Sequence, residues 1–172
     1  QWKLSKEEPT IKFYTSSYPG SSFSMVKSIV SVPDKHDKLI EILNKIEVID
    51  DKTPNDKRDG VKERYTLGQG DDEHKTSYVY IALESGSRFV TDREFLMLRR
   101  HYQIDGKDIW LHRSVEGDNI VPPNKKNVRG KITFQTFILE KDPDNEGSDR
   151  LTFIVHADPC GSVPAMIYNA VA

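Results

Sequence analysis

Hydrophobic and polar residues alternate along most of the chain, which is the period of half-buried β-strands. The clearest stretch runs from 128 to 139, where Gly130, Ile132 and Phe134 fall on one face. A second clear stretch, 150–157, alternates in the same way. Six further strands are predicted at 11–17, 23–32, 61–67, 75–83, 93–104 and 108–115. Charged segments containing Pro and Gly separate them, as expected of hairpin turns.

Two stretches have a helical period instead. In the first, apolar residues recur at helical spacing: Leu39, Ile40, Ile42, Leu43 and Ile46. Asp34 precedes them and suits an N-cap. A second helix is predicted to begin near Val163, with Pro164 early in it, where its missing N–H costs little. This order predicts an α+β fold in which one curved antiparallel sheet wraps around a C-terminal helix.

Composition narrows the function classes. The 172 residues carry 25 basic and 27 acidic side chains, a net charge of −2, which argues against a nucleic-acid partner. A single cysteine, Cys160, excludes an intramolecular disulfide and a cysteine-based zinc site, and it favours a reducing, cytoplasmic compartment. No apolar run approaches the length of a membrane span.

Three motifs in the second half of the chain resemble the START domain, the lipid-transfer module related to steroidogenic acute regulatory protein. Val90–Phe95 is similar to the strand opening of that family. Pro122-Pro123 followed by Asn127–Gly130 is similar to its proline loop and the next strand. Val155–Pro164 is similar to the segment that leads into its last helix. The motifs occur in the family's order and spacing.

The resemblance implies a helix-grip fold with an internal tunnel that the C-terminal helix closes as a lid. It implies binding and transfer of one lipid (phospholipid, sterol or ceramide) without catalysis or a cofactor, by a monomer that touches membranes transiently. Ser162 departs from the family, which usually has Trp there. We expect residues 1–172 to form a single domain, truncated in its lid helix and lacking the N-terminal helix.

The resemblance also proposes lipid-binding residues, because the family arginine that matches Arg93 points into the tunnel. Strand alternation then places four residues on the tunnel face: Arg93, Phe95, Met97 and Arg99. The sterol carriers pair this arginine with an acid, and the matching position here is Tyr80. Tyr78 and Tyr80 are therefore expected to offer hydroxyls or rings to a headgroup. The alternative is an ion pair of Arg93 with Asp92, Glu94 or Glu84.

Other lining residues follow from alternation and from the expected lid. In strand 108–115 the face is ambiguous, and we favour Trp110 and His112 inward over Ile109 and Leu111. The tunnel wall is predicted to include Ile132, Phe134, Phe153 and Val155, with Met166 and Ile167 contributed by the lid helix. A gate loop beside the lid is predicted to contain Gly86, Arg88 and Phe89.

Two other functions stay open. The domain could sense lipid on behalf of a longer protein. It could also be a helix-grip enzyme such as a cyclase or hydrolase, for which His112, His101 and Glu84 are the plausible acids or bases. A nucleophilic set of His156, Asp158 and Cys160 is disfavoured because sequence neighbours rarely converge. A metal site at 71–74 is disfavoured against an exposed acidic turn, so no metal is expected.

Overall fold

The computed structural model describes residues 1–33, 35–47, 60–69, 76–86 and 90–171. These residues form ten strands and two helices. In chain order they are β1 Lys3–Glu7, β2 Ile11–Ser17, β3 Ser24–Pro33, α1 His36–Glu47, β4 Val61–Gln69, β5 Ser77–Leu83, β6 Arg93–Ile104, β7 Lys107–Ser114, β8 Val128–Arg129, β9 Lys131–Lys141, β10 Ser148–Asp158 and α2 Ala165–Val171.

The strands form one curved sheet in the order β1-β2-β3-β10-β9-β7-β6-β5-β4, with antiparallel neighbours. The short strand β8 lies off this path and pairs in parallel with the start of β6. Asp105 and Gly106 join β6 to β7, and both have positive φ (51° and 72°), as a tight two-residue hairpin requires. The predicted α+β class with a curved antiparallel sheet is confirmed.

Most predicted strands agree with the structure, with two informative differences. The stretch 128–139 is two strands because residues 128–129 pair with β6, whereas the residues after Gly130 pair with β7 and β10. Only glycine fits between them, since a Cβ atom at 130 would lie 2.4 Å from Cε1 of Phe95. Strand β1 was not predicted, since all five of its residues are exposed and no apolar alternation marks it. Exposed charges are typical of an edge strand.

Two sheet faces are covered differently. One face, called the cavity face here, carries a cluster built around Phe95 and Met97, and α1 packs Leu43 against Trp110 at one end of it. The other, called the outer face, carries Tyr80 and Leu96, which the loop 115–127 covers. Helix α1 begins at His36, and the Lys35 carbonyl accepts its first hydrogen bond from Leu39. The proposed N-cap, Asp34, lies outside the described residues.

Helix α2 begins at Ala165, two residues later than predicted, and is tied to the β2–β3 turn. Asn169 accepts a hydrogen bond from the Ser24 N–H (2.9 Å) and donates one to the Ser22 carbonyl (3.0 Å). The Phe23 and Tyr168 rings meet edge to face at 5.2 Å. Neither described helix is long and apolar enough to cross a membrane.

Candidate functional site: an apolar cavity between the sheet and the second helix

A cavity of about 760 Å³ lies between the cavity face of the sheet and α2. Its walls are mainly aliphatic and aromatic, as in sites for apolar ligands. The wall residues include Val79, Ile81 and Leu83 of β5, Arg93, Phe95 and Met97 of β6, His112 of β7, Ile132, Gln135 and Phe137 of β9, Val155 and Ala157 of β10, and Tyr168 of α2. Polar wall residues concentrate near the β5–β6 connection, where Ser85, Thr91 and Arg93 lie.

Six of the predicted lipid-binding residues line this cavity: Arg93, Phe95, Met97, His112, Ile132 and Val155. For Arg93, Phe95, Met97 and His112, strand alternation agrees with the structure because the β6–β7 ladder runs without a register shift. Contact of all six with a lipid stays a prediction.

Tyr78 and Tyr80 were expected in the tunnel, and that placement is wrong. In the ladder Tyr80 pairs with Leu96 and Tyr78 with Leu98, on the outer face, whereas Val79 pairs with Met97 on the cavity face. Strand β5 is apolar on both faces, so alternation alone could not choose between them. The Tyr80 ring stacks on Tyr65 at 4.8 Å.

Below that ring, Tyr80 belongs to a buried hydrogen-bond network centred on Glu94. The Glu94 carboxylate accepts from the Tyr80 hydroxyl (2.8 Å), Arg129 Nε (2.9 Å), the Asn124 N–H (3.1 Å) and Asn127 Nδ2 (3.3 Å). Burial by itself raises the pKa of Glu94, but the donors from Tyr80 and Arg129 outweigh it and leave the pKa below its ordinary value. Burial and the adjacent carboxylate raise the pKa of Tyr80, which stays protonated. This network fastens the loop 115–127 to the sheet.

Trp110 and Arg99 point to the cavity face as predicted, but they lie under α1 and not among the cavity-lining residues. Trp110 is fully buried, and its indole N–H donates to Asn44 of α1 at 3.1 Å. Arg99 Nη2 donates to the same Asn44 oxygen at 3.2 Å. The His101 ring is stacked on Trp110 at 4.5 Å and bonded to Asp108. Helix α1, which is distant in sequence, therefore covers this part of the cavity face.

Phe134 was expected on the wall with Ile132, and the structure places it on the outer face. A bulge interrupts the β9–β10 ladder, where Ile132 pairs with Ala157 but Phe134 pairs with His156. One extra residue reverses the alternation beyond it, so that Gln135 and Phe137 line the cavity instead. Sequence alternation carries no sign of such a bulge.

The remaining predicted residues have mixed outcomes. Phe153 lies beside the cavity without lining it, and its ring centroid is 4.8 Å from that of Phe137. Met166 is wrong as a tunnel residue because its side chain points to solvent, 81% exposed. Tyr168, two residues later, faces the cavity. The Ile167 side chain, Arg88 and Phe89 lie outside the described residues, and Gly86 is exposed with φ 67°.

Arg93 is buried at the cavity wall, and its three nitrogen atoms donate to backbone carbonyls. Nε donates to Pro159 (2.9 Å), Nη2 to Cys160 (3.1 Å) and Nη1 to Thr91. The alternative of an ion pair with Asp92, Glu94 or Glu84 is wrong: Asp92 pairs with Lys62 at 2.6 Å, Glu94 pairs with Arg129, and Arg93 forms no ion pair with Glu84, which is also a described residue. Within the described part of the chain, no carboxylate pairs with Arg93.

The disfavoured chemical sites gain no support from geometry. The His156 ring is hydrogen-bonded to the Thr133 hydroxyl at 2.8 Å and stacks on the Tyr18 ring with centroids 4.0 Å apart. Its contacts are therefore with Thr133 and Tyr18, as expected of a structural histidine. Burial raises the pKa of Cys160, which is the opposite of thiolate activation. No cluster of three or more metal-binding side chains occurs in the ranges that the structure describes, and residues 71–74 fall outside them.

Comparison with known proteins agrees with this architecture. The START domain family matches residues 1–172, so the chain belongs to the START domain family. Human STARD10 has a TM-score of 0.77 at 18% identity, over 99% of this chain and 66% of that one. A STAR-related lipid transfer protein from Xanthomonas axonopodis has a TM-score of 0.75 at 20% identity, over 99% of this chain and 89% of that one. Human StAR-related lipid transfer protein 5 has a TM-score of 0.76 at 16% identity, over 98% of this chain and 77% of that one. No curated protein sequence matches the chain.

These solved structures share the fold with this chain, and the helix-grip prediction is confirmed. The chain spans just under two thirds of the STARD10 chain. The family resemblance expected from the three motifs is likewise confirmed, over the whole sequence.

Proposed function

We propose that the chain binds one lipid molecule in the cavity and transfers it between membranes without changing it chemically. The observation that carries the proposal is the cavity itself, with a volume of about 760 Å³ and largely apolar walls. Family membership supports it, as do two of the similar structures, which are those of proteins named for lipid transfer. Residues 1–172 act as one lipid-binding unit in this proposal.

Burial of the lipid's hydrocarbon supplies the affinity. Each methylene removed from water contributes about 0.8 kcal/mol, so ten buried methylenes contribute roughly 8 kcal/mol before the cost of immobilisation. Among the predicted contacts, Phe95, Met97, Ile132 and Val155 take part in this packing. A phospholipid, a sterol and a ceramide each combine one polar end with an apolar body, which suits such a wall.

The polar groups orient the ligand in this proposal. Ser85 and Thr91 lie at the end of the cavity near the β5–β6 connection, whereas Met97 and Phe137 lie deeper along their strands. The polar end of the lipid therefore lies toward the β5–β6 connection, which includes Gly86 of the predicted gate. Transfer requires this end to open transiently at a membrane surface. The carrier works as a monomer in the cytoplasm, consistent with a free Cys160.

Native mass spectrometry after incubation with mixed vesicles of phosphatidylcholine, sterol and ceramide tests the proposal. Two neighbouring residues of β10 provide matched variants, because Val155 lines the cavity and Ile154 points to the outer face. We expect one lipid per chain for the wild type and for Ile154→Trp, and none for Val155→Trp. Equal lipid occupancy in the two variants, or a folded wild type that binds none, would overturn cavity binding.

A second measurement separates transfer from the other functions. Labelled lipid is followed from donor to acceptor vesicles, and its mass is measured after transfer. Recovery of unchanged lipid in the acceptor supports a carrier. A product of new mass would favour an enzyme, with His112 as the buried candidate base. Stoichiometric binding without transfer would favour a lipid-sensing domain.

A further inference from the structure

The segment between β10 and α2, residues 159–164, is the hinge about which α2 would have to move. Cys160 and Gly161 both have positive φ, at 53° and 65°. For Cys160 this left-handed conformation is strained, so contacts from outside the segment must hold it. One such contact is local, since the Cys160 N–H donates to Asp158 Oδ1 at 2.8 Å.

Arg93 supplies the other contacts from across the cavity. Its Nε and Nη2 donate to the Pro159 and Cys160 carbonyls, and Nη1 anchors the same guanidinium to Thr91 at the start of its own strand. The guanidinium also lies close to the next residue of the hinge, because Nη2 is 3.6 Å from the position that a Cβ atom on Gly161 would take. One planar fork thus connects β6 to two consecutive carbonyls of the hinge.

This use of Arg93 leaves its nitrogen atoms directed at the backbone. Each of the three nitrogens already donates to a carbonyl, and the buried charge has carbonyl dipoles as partners in place of a carboxylate. Lysine has a single ammonium group and cannot reproduce the planar arrangement of donors. The role therefore depends on the shape of the guanidinium as well as on its charge.

Movement at this hinge would open the cavity. Helix α2 carries Tyr168, a cavity-lining residue, and Val163 of the hinge lines the cavity too. Beyond the hinge, α2 is held by Asn169 on the β2–β3 turn. Helix α2 is thus attached to the sheet through the Arg93 contacts with the hinge and through Asn169, and loosening either attachment lowers the barrier to its displacement.

We propose that Arg93 is a positioning residue for the α2 hinge, which sets the rate of lipid entry and release, and that it does not select the lipid headgroup. The inference rests on the proposed lipid-binding function. A contact that holds the hinge affects the rates of entry and release for all lipids alike, whereas a contact with the headgroup would change which lipids are bound.

Hydrogen exchange and lipid release test this together. Arg93→Lys keeps the charge but loses the fork, and Arg93→Met loses both. We expect both variants to speed amide exchange over residues 161–168 at least tenfold and to speed lipid release, with the proportions of bound lipid classes unchanged. Arg64→Met removes another cation from the cavity wall and is expected to leave exchange in α2 unchanged.

The contrary result is equally specific. Altered proportions of bound lipids in Arg93→Met, with α2 exchange equal to that of the wild type, would overturn the hinge role. If Arg93→Met does not fold, Asp158→Ala loosens the hinge from its other side and should speed α2 exchange in the same way. Unchanged exchange in both Asp158→Ala and Arg93→Lys would also overturn it. Amide exchange is measured without lipid, so it tests the role of Arg93 at the hinge independently of lipid binding. A wild type that binds no lipid would refute the proposed function and leave the exchange result valid.

Discussion

The Tyr80 hydroxyl donates a 2.8 Å hydrogen bond to Glu94, and both side chains are buried on the sheet face opposite the cavity. The same carboxylate pairs with Arg129 and binds the backbone of Asn124. A tyrosine that the family comparison suggested as a ligand contact is thus part of the structural support for the loop 115–127. The distinction has consequences that can be measured.

Tyr80→Phe removes one donor from Glu94 without changing the shape of the ring. We expect the free energy of unfolding to fall by about 1–3 kcal/mol, because a buried carboxylate loses a hydrogen bond. Urea denaturation measures this change. Lipid occupancy per folded molecule should equal that of the wild type, and a selective loss of bound lipid would contradict the outer-face placement.

Glu94 also predicts how stability depends on pH. Its pKa in the folded protein lies below the ordinary value of 4.5, so the unfolded chain takes up the proton first as the pH falls. Its contribution to stability is complete above about pH 4.5 and is lost as the pH drops through the folded pKa. Glu94→Gln should therefore be most destabilising at pH 7, with a gap to wild type that narrows in acid.

Urea denaturation of the two proteins from pH 7 to pH 3 measures this gap. Other carboxylates with lowered pKa values, such as Asp149 and Glu140, keep an acid dependence in both proteins. A gap of the same size at every pH would show that the ionisation of Glu94 does not contribute.

The bulge in β9 predicts opposite behaviour for two phenylalanines three residues apart. Phe137 lines the cavity and Phe134 faces outward. Phe137→Leu should raise the Kd for bound lipid several-fold, an effect of roughly 1 kcal/mol from lost apolar contact. Phe134→Leu should leave the Kd unchanged, even if it lowers stability. Equilibrium binding of a fluorescent lipid measures both Kd values. A larger rise in Kd for Phe134→Leu than for Phe137→Leu would contradict the bulge and favour an uninterrupted alternation in which Phe134 lines the cavity.

Asn44 fastens α1 to the sheet through Trp110 and Arg99. Asn44→Ala leaves the buried indole N–H without its acceptor and should lower the free energy of unfolding by about 1–3 kcal/mol. Asn119→Ala, at an exposed loop position, is the control and should have little effect. Equal stability of the two variants in thermal and urea denaturation would mean that this contact contributes nothing.

Local pattern was a good guide wherever one face of a strand is buried. In β6, Arg93, Phe95 and Met97 alternate with residues of the other face, and the predicted strand 93–104 has the observed bounds. The family motifs around Arg93 and Pro164 indicated the fold because they mark particular turns and strand ends. In strand β5 the pattern could not show which face lines the cavity, since Tyr80 and Val79 are both buried on opposite faces of the sheet.

The sequence by itself determined the α+β class, most strand positions and the family, because these depend on short-range periodicity and on motifs within single segments. Tertiary structure decided which residues line the cavity. Phe137 replaced Phe134 through a one-residue bulge, α1 covered Trp110 from far away in sequence, and Arg93 found carbonyl partners 66 and 67 residues later. Each of these outcomes depends on how separate segments meet in space, and alternation within one segment contains no information about that.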